Sequence, residues 1–346
     1  MSEANWKLIS SNTEEFDFES FARFKSSEEE FLKIKYFFSK NNPFIKRAIF
    51  ENVLFIDKDR TVFGRATLCY DDAEKSHSEG KIGFFKCHED FEIFEVFLQL
   101  LLDKLKIKGF KKILAPMNFS SWFEYRYLVK EKPGYLEGKK LFFEPSNEAF
   151  YPLFFQRFGF TEHKKYYSFL TGKDYFEKMR NRGKKWFELS KKKNYVIRNF
   201  DISRMQSELK AVYDIFYITF ADYPGLTELS FEEFLYYIRP LQSAIKPELI
   251  KFICDPSGRA VGVFAGFLSI PGEKIASLIF TACISKKEIF CSSALYHAYA
   301  QEVIDQGFED GILSLAADTA STLVLLKDAE IIREFALFEY DLKESI

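Results

Sequence analysis

The densest group of chemically capable side chains in this sequence is basic. Between Glu177 and Arg198 stand nine cations, Lys178, Arg180, Arg182, Lys184, Lys185, Lys191, Lys192, Lys193 and Arg198, against Glu177 and Glu188. Such a run is either a solvated linker helix or the recognition element of a phosphate-rich partner, a nucleotide cofactor or a tRNA. The thiols promise less. Cys69, Cys87, Cys254, Cys283 and Cys291 contain no Cys-x-x-Cys pair, and their odd number suits free thiols in a reducing cytoplasm. Cys283 and Cys291 have no neighbouring histidine in sequence to take a proton, so they read as structural thiols and not as nucleophiles. His77, His88, His163 and His297 are scattered without metal-ligand spacing, and no metal is expected.

The elements that must carry these groups repeat. Val53–Asp57, a Lys58-Asp59-Arg60 turn and Thr61–Tyr70 read as a hairpin, as do Leu249–Cys254, Asp255-Pro256-Ser257-Gly258 and Arg259–Ile270. A further apolar strand follows each, Lys81–Cys87 and Ile275–Ile284. A helical pattern then ends at Gly109-Phe110 or Gly307-Phe308, and a short strand follows, Ile113–Ala115 or Ile312–Ala316. Gly64 and Gly262, like Gly109 and Gly307, are 198 residues apart. The sequence therefore contains two copies of one α/β unit, with parallel strands on either side of each helix. The first copy carries extra residues over 118–148.

Composition sets the outer limits. A chain of 346 residues favours two domains, and 47% hydrophobic residues supply two cores. The expected division is 1–175, a basic linker at 176–198, and 199–346. Lys and Arg total 49 against 51 Asp and Glu, so the net charge of −2 excludes a chain-wide polyanion surface and leaves only a local patch. Aromatics reach 18%, which signals strands and cores first and an acyl or lipid pocket second. The first residues lack a signal-peptide pattern, and the longest charge-free apolar stretch, 260–272, is shorter than a membrane span. A soluble cytoplasmic protein without a membrane partner is expected.

The order of elements resembles the GNAT acyltransferase superfamily. Asn42-Pro43-Phe44, Val62-Phe63-Gly64-Arg65, Ile82-Gly83-Phe84-Phe85 and Ala115-Pro116-Met117-Asn118-Phe119-Ser120 are similar to segments of a bacterial group of tandem GNAT-like proteins. So are Tyr151–Tyr167, Ala221-Asp222-Tyr223-Pro224-Gly225 and Glu232-Glu233. The likeness runs from about Phe44 to Leu342. It implies an α/β protein with mixed sheets: two tandem GNAT-like acyl-CoA acyltransferase folds.

The resemblance also implies a chemistry. Splayed strands take the pantetheine arm of acetyl-CoA or a longer acyl-CoA, and a glycine-rich loop with the next helix N-terminus takes the pyrophosphate. Positioning an amine beside the thioester then does most of the catalysis. In the first copy the loop position reads His88-Glu89-Asp90-Phe91-Glu92, whose carboxylates oppose phosphate. In the second it reads Ile284-Ser285-Lys286-Lys287-Glu288-Ile289-Phe290-Cys291-Ser292-Ser293. Bulkier residues replace the glycines there, yet Ile284, Lys286, Lys287, Ser292 and Ser293 remain the expected cofactor site, with Ser292 as a helix cap. The superfamily tyrosine that protonates the leaving thiolate has no counterpart over Asp318–Glu330, which offers Ser321 instead. Tyr223 is the other catalytic candidate, and Asp222 and Asn118 are assigned to the acceptor side.

The leading expectation is acyl transfer from acyl-CoA to a small-molecule or peptide amine, with cofactor in the second copy. Two alternatives stay open. One is an aminoacyl-tRNA donor bound through 178–198. The other is a degenerate, non-catalytic binding protein.

Overall fold

Polar turns and caps punctuate the apolar runs and fix where each element begins. The computed structural model describes residues 6–70, 79–134, 136–220, 226–270, 272–284, 289–318 and 329–342. The N-terminal half opens with β1 (Trp6–Ser10) and three short helices, α1 (Phe18–Arg23), α2 (Glu28–Phe37) and α3 (Pro43–Arg47). Asp17, Ser27 and Asn42 start those helices by accepting from backbone N–H groups two or three residues on. Then come β2 (Ile49–Asp57), β3 (Val62–Tyr70), β4 (Glu79–Cys87), α4 (Phe91–Ile107) and β5 (Lys112–Ala115). They are followed by β6 (Tyr127–Glu131), α5 (Phe150–Phe158) and β7 (Thr161–Gly172).

The basic stretch folds as α6 (Lys173–Lys192) and leads into β8 (Val196–Asn199), α7 (Met205–Phe220) and α8 (Phe231–Ile238). The second copy continues through β9 (Ile250–Cys254), β10 (Ala260–Leu268), β11 (Ile275–Cys283), α9 (Ile289–Asp305), β12 (Asp310–Ala317) and β13 (Glu330–Asp341). The repeat extends from glycines to whole elements: β3 and β10, α4 and α9, and β5 and β12 each start 198 residues apart. Even the turns match. Asp57 Oδ1 accepts from the N–H groups of Asp59 and Thr61, and Asp255 Oδ1 from those of Ser257 and Arg259.

The described strands form one sheet in the order β1-β2-β3-β4-β5-β13-β7-β12-β11-β10-β9-β8, with β6 also paired to β13. The β4–β5 and β11–β12 pairs are parallel, as expected of strands joined through a helix. The centre holds a strand exchange. β13 leaves its own half to pair with β5 and β6, while β7 pairs with β12 of the second half. The two twelve-residue strands run antiparallel to each other between the halves. An approximate two-fold relation follows, and it reappears at Tyr36 and Tyr236. Their rings stack at 4.5 Å, and each hydroxyl donates to the other's backbone carbonyl at 2.9 Å.

Much of the aromatic excess is packed inside. Phe55, Phe94, Phe97 and Phe155 are fully buried in the first core, and Phe264 and Tyr299 in the second. The extra residues after β5 bridge the halves: Lys140 pairs with Glu29, Lys139 with Glu273, and Phe142 N–H donates to Ser269 O at 2.8 Å. Buried Arg333 of β13 fastens the same segment, donating to Glu131 at 2.7 Å and Glu144 at 2.9 Å. Among the described residues no helix is long and apolar enough to cross a membrane.

Candidate functional site

Each half contains a place where parallel strands stop pairing, and the two places differ. In the first half β4 and β5 pair only from Glu79–Lys112 to Lys81–Leu114. A bulge then turns β4, with Phe84 at a φ of 47°. The chain after β5 closes the resulting gap. Met117 N–H donates to Ile82 O at 2.9 Å, Phe84 N–H donates to Asn118 Oδ1 at 2.6 Å, and buried Lys81 donates to Phe119 O at 2.8 Å. Gly83 makes this approach possible, since a Cβ there would lie 2.6 Å from Met117 O. Rings fill the remainder: Phe85 packs on Tyr151 at 5.9 Å and Phe155 at 5.4 Å, and Tyr127 stacks on Tyr151 at 5.5 Å.

The anion position of that half is self-occupied too. Asp90 caps α4 and accepts from the N–H groups of Glu92 and Ile93. A carboxylate already in place at the helix N-terminus repels phosphate. Cys87, at the end of β4, has its thiol pushed up to about 12 by burial and stays protonated.

In the second half β11 and β12 pair from Ile275–Asp310 to Leu278–Leu313 and then part. Ser277 and Ser314 hydroxyls meet at 3.2 Å where the strands diverge. Beyond them β11 stays with β10 as far as Cys283, past a bulge at Ala265/Gly266. β12 turns to β7, where Leu315 N–H donates to Ser168 Oγ at 3.1 Å. Among the described residues, no strand pairs with the β12-facing edge of β11 after Leu278.

The expected cofactor residues divide between described and undescribed positions. Ile284 closes the β10–β11 end, its N–H donating to Val261 O at 2.9 Å. Ser292 was expected to cap α9, but the helix begins three residues earlier, and its hydroxyl donates to Cys283 Sγ at 3.3 Å. Ser293 lines a cleft between α9 and α6. Lys286, Lys287, Asp222, Tyr223 and Ser321 lie outside the described residues. Asn118 stands in the closed gap of the first half with its side-chain oxygen engaged.

The cleft is the feature that sequence spacing did not reveal. It encloses about 710 Å³ and runs along α6, with Lys178, Arg182 and Trp186 on one wall and Ser293 and Tyr296 of α9 on the other. Three features hold the helices together. A Cβ on Gly183 would meet Ser293 O at 2.5 Å, His297 and the Arg180 carbonyl hydrogen-bond at 2.7 Å, and Phe187 lies 4.5 Å from the His297 ring. A glycine inside a helical run was the available signal of this close crossing. Burial pushes the hydroxyls of Tyr175 and Tyr296 up, so both stay neutral at physiological pH. Among the described residues no group of three or more His, Cys, Asp or Glu side chains could hold a metal ion.

No family model matches the sequence, and no curated protein matches it. Solved structures do. A conserved protein of Enterococcus faecalis V583, a probable N-acyltransferase, superposes with a TM-score of 0.57 at 9% identity, over 97% of this chain and 72% of that one. A GCN5-related glucosamine N-acetyltransferase region of a fungal multi-domain GH3 β-N-acetylglucosaminidase superposes at 0.54 with 10% identity. That match covers 97% of this chain and 38% of the fungal protein. Two copies of a strand, helix and parallel strand, each with parallel strands that part next to a bulge, together with these superpositions, make this chain a tandem form of the GCN5-related N-acetyltransferase (GNAT) fold.

Proposed function

We propose that this protein is an N-acyltransferase that takes an acyl group from a coenzyme A thioester in its C-terminal half and passes it to a small-molecule or peptide amine. The observation that carries this reading is the contrast between the two strand gaps. The first is bridged by the chain's own backbone and filled with rings, while β11 beyond Leu278 keeps an edge without a strand partner among the described residues. Backbone groups on such an edge need hydrogen bonds, and the amides of a pantetheine arm supply them.

Bound acyl-coenzyme A provides an activated carbonyl carbon. The chain's share of the chemistry is to hold an amine against that carbon. The amine nitrogen bonds to it, the carbon–sulfur bond breaks, the nitrogen gives up a proton and the departing thiolate gains one. Ile284, Lys286, Lys287, Ser292 and Ser293 are assigned to the donor, Tyr223 or Ser321 to the proton given to the thiolate, and Asp222 to the acceptor. The halves are assigned to 1–175 and 199–346, and the segment over 118–148 forms the acceptor wall, because it is fastened to both halves.

The test is a thermal-shift titration with acetyl-CoA, palmitoyl-CoA and desulfo-CoA. A ligand at about 100 times its dissociation constant stabilises by about 2.7 kcal/mol, which moves the midpoint by several degrees in a chain of this size. A saturable shift that Lys286→Glu with Lys287→Glu abolishes is expected. No shift with any coenzyme A species at millimolar concentration overturns the proposal.

A further inference from the structure

We infer that α6, the helix between the two halves, binds the phosphate-bearing end of the acyl donor through Lys178 and Arg182. It thereby takes over a task that glycines would otherwise perform in the loop before α9. The residues facing the cleft from α6 are spaced three and four apart, 174/175, 178/179, 182/183 and 186, so one stripe of the helix forms a wall. Within it the charge is graded. Asp174, Glu309 and Asp310 outnumber Lys173 at the end where β7 meets β12, and Arg182 stands eight residues beyond Asp174, about 12 Å at the helical rise. A phosphate is drawn to the far end and repelled from the near one. Arg182 has no carboxylate partner among the described residues, so its charge is available.

The remaining wall suits the rest of a nucleotide. Tyr175, Trp186 and Tyr296 offer aromatic surface on which a purine stacks, and Ser293 lines the wall formed by α9. The close crossing at Gly183 and the bond between His297 and the Arg180 carbonyl hold the basic stripe against α9. The segment between β11 and α9 reads Ser285-Lys286-Lys287-Glu288, without glycine. A basic helix docked against the first turns of α9 supplies positive charge of the kind that a glycine-lined backbone cradle would otherwise contribute. The identity of the ligand rests on the coenzyme A reading above; the basic end of the cleft at Arg182 does not.

The experiment is calorimetric titration of the whole chain with coenzyme A, dephospho-coenzyme A, 3′,5′-ADP and pantetheine, each into three proteins. These are the wild type, Lys178→Glu with Arg182→Glu, and Lys184→Glu with Lys192→Glu as a charge-matched control on exposed positions of the same helix outside the cleft lining. All three are first shown to melt alike without ligand. The inference predicts at least a tenfold loss of coenzyme A and 3′,5′-ADP affinity in the first variant only, with pantetheine unaffected. Wild-type affinity for coenzyme A in that variant overturns the role of α6 and leaves the donor reading standing. Equal losses in both variants also overturn it, because net charge alone would explain them. Absence of coenzyme A binding to the wild type overturns the donor reading itself. A short RNA that binds more tightly than coenzyme A and loses affinity in the same variant overturns the small-ligand assignment.

Discussion

Single residues decide which of the two strand gaps is shut and how tightly α6 docks. Gly83 lets the backbone of Met117 and Asn118 lie across β4, and Gly183 lets α6 lie across α9. Gly183→Ala sets two effects against each other. Replacing glycine within a helix gains up to about 1 kcal/mol of propensity. The new Cβ would sit 2.5 Å from a backbone carbonyl, which moves only with its helix, and such overpacking costs about 1–3 kcal/mol. The clash wins, so chemical denaturation is expected to show a less stable protein; a more stable one would mean that α6 and α9 separate easily. At the same scale four of the five cysteines are buried, as the sequence suggested for structural thiols, whereas Cys283 is partly exposed.

Among the elements, α8 shows how local and distant signals combine. Ser230 and Glu233 form a reciprocal capping box, legible in the sequence as Ser-x-x-Glu. Only the fold adds Arg47 of α3, whose Nε lies 2.5 Å from Glu233 Oε1. Burial alone would raise the Glu233 carboxyl; the Arg47 guanidinium and the Ser230 N–H outweigh it and leave it below its ordinary value. A carboxyl depressed in the folded state stabilises fully above its unfolded pKa, about 4.3, and that contribution is lost as pH falls through the folded value. Glu233→Gln is therefore expected to cost about 1 kcal/mol at pH 7, and the gap from wild type should close on acidification toward pH 3. Unfolding free energies across that range provide the check, and a gap independent of pH would show that the charge on Glu233 is irrelevant.

At the scale of the whole molecule, the exchanged strands make the halves interdependent. β7 has β12 on one side and β13 on the other, and both come from the C-terminal half. A fragment ending at residue 172 exposes both edges of that strand along with the apolar side chains of Phe169 and Tyr166. Such a fragment is expected to show no cooperative melting by itself and to recover it when produced together with residues 173–346. Independent melting at the temperature of the full chain would instead mean that each half completes its own sheet. The bridging segment over 118–148 adds to this dependence, since Lys139, Lys140 and Phe142 reach opposite halves.

The sequence by itself determined the repeated unit, its hairpins, the parallel pairs and the GNAT resemblance, because periodicity, turn residues and element order are local properties that survive without long-range information. It also exposed the carboxylates at the first loop and the basic run of α6. The tertiary structure alone decided that each half would lend its last strand to the other, that Asn118 would close a gap, and that Lys178 and Arg182 would face Ser293 across a cleft. Those outcomes depend on which surfaces meet. A strand carries the same alternating pattern whichever half it joins, and a basic helix reads the same whether it faces water or a binding cleft.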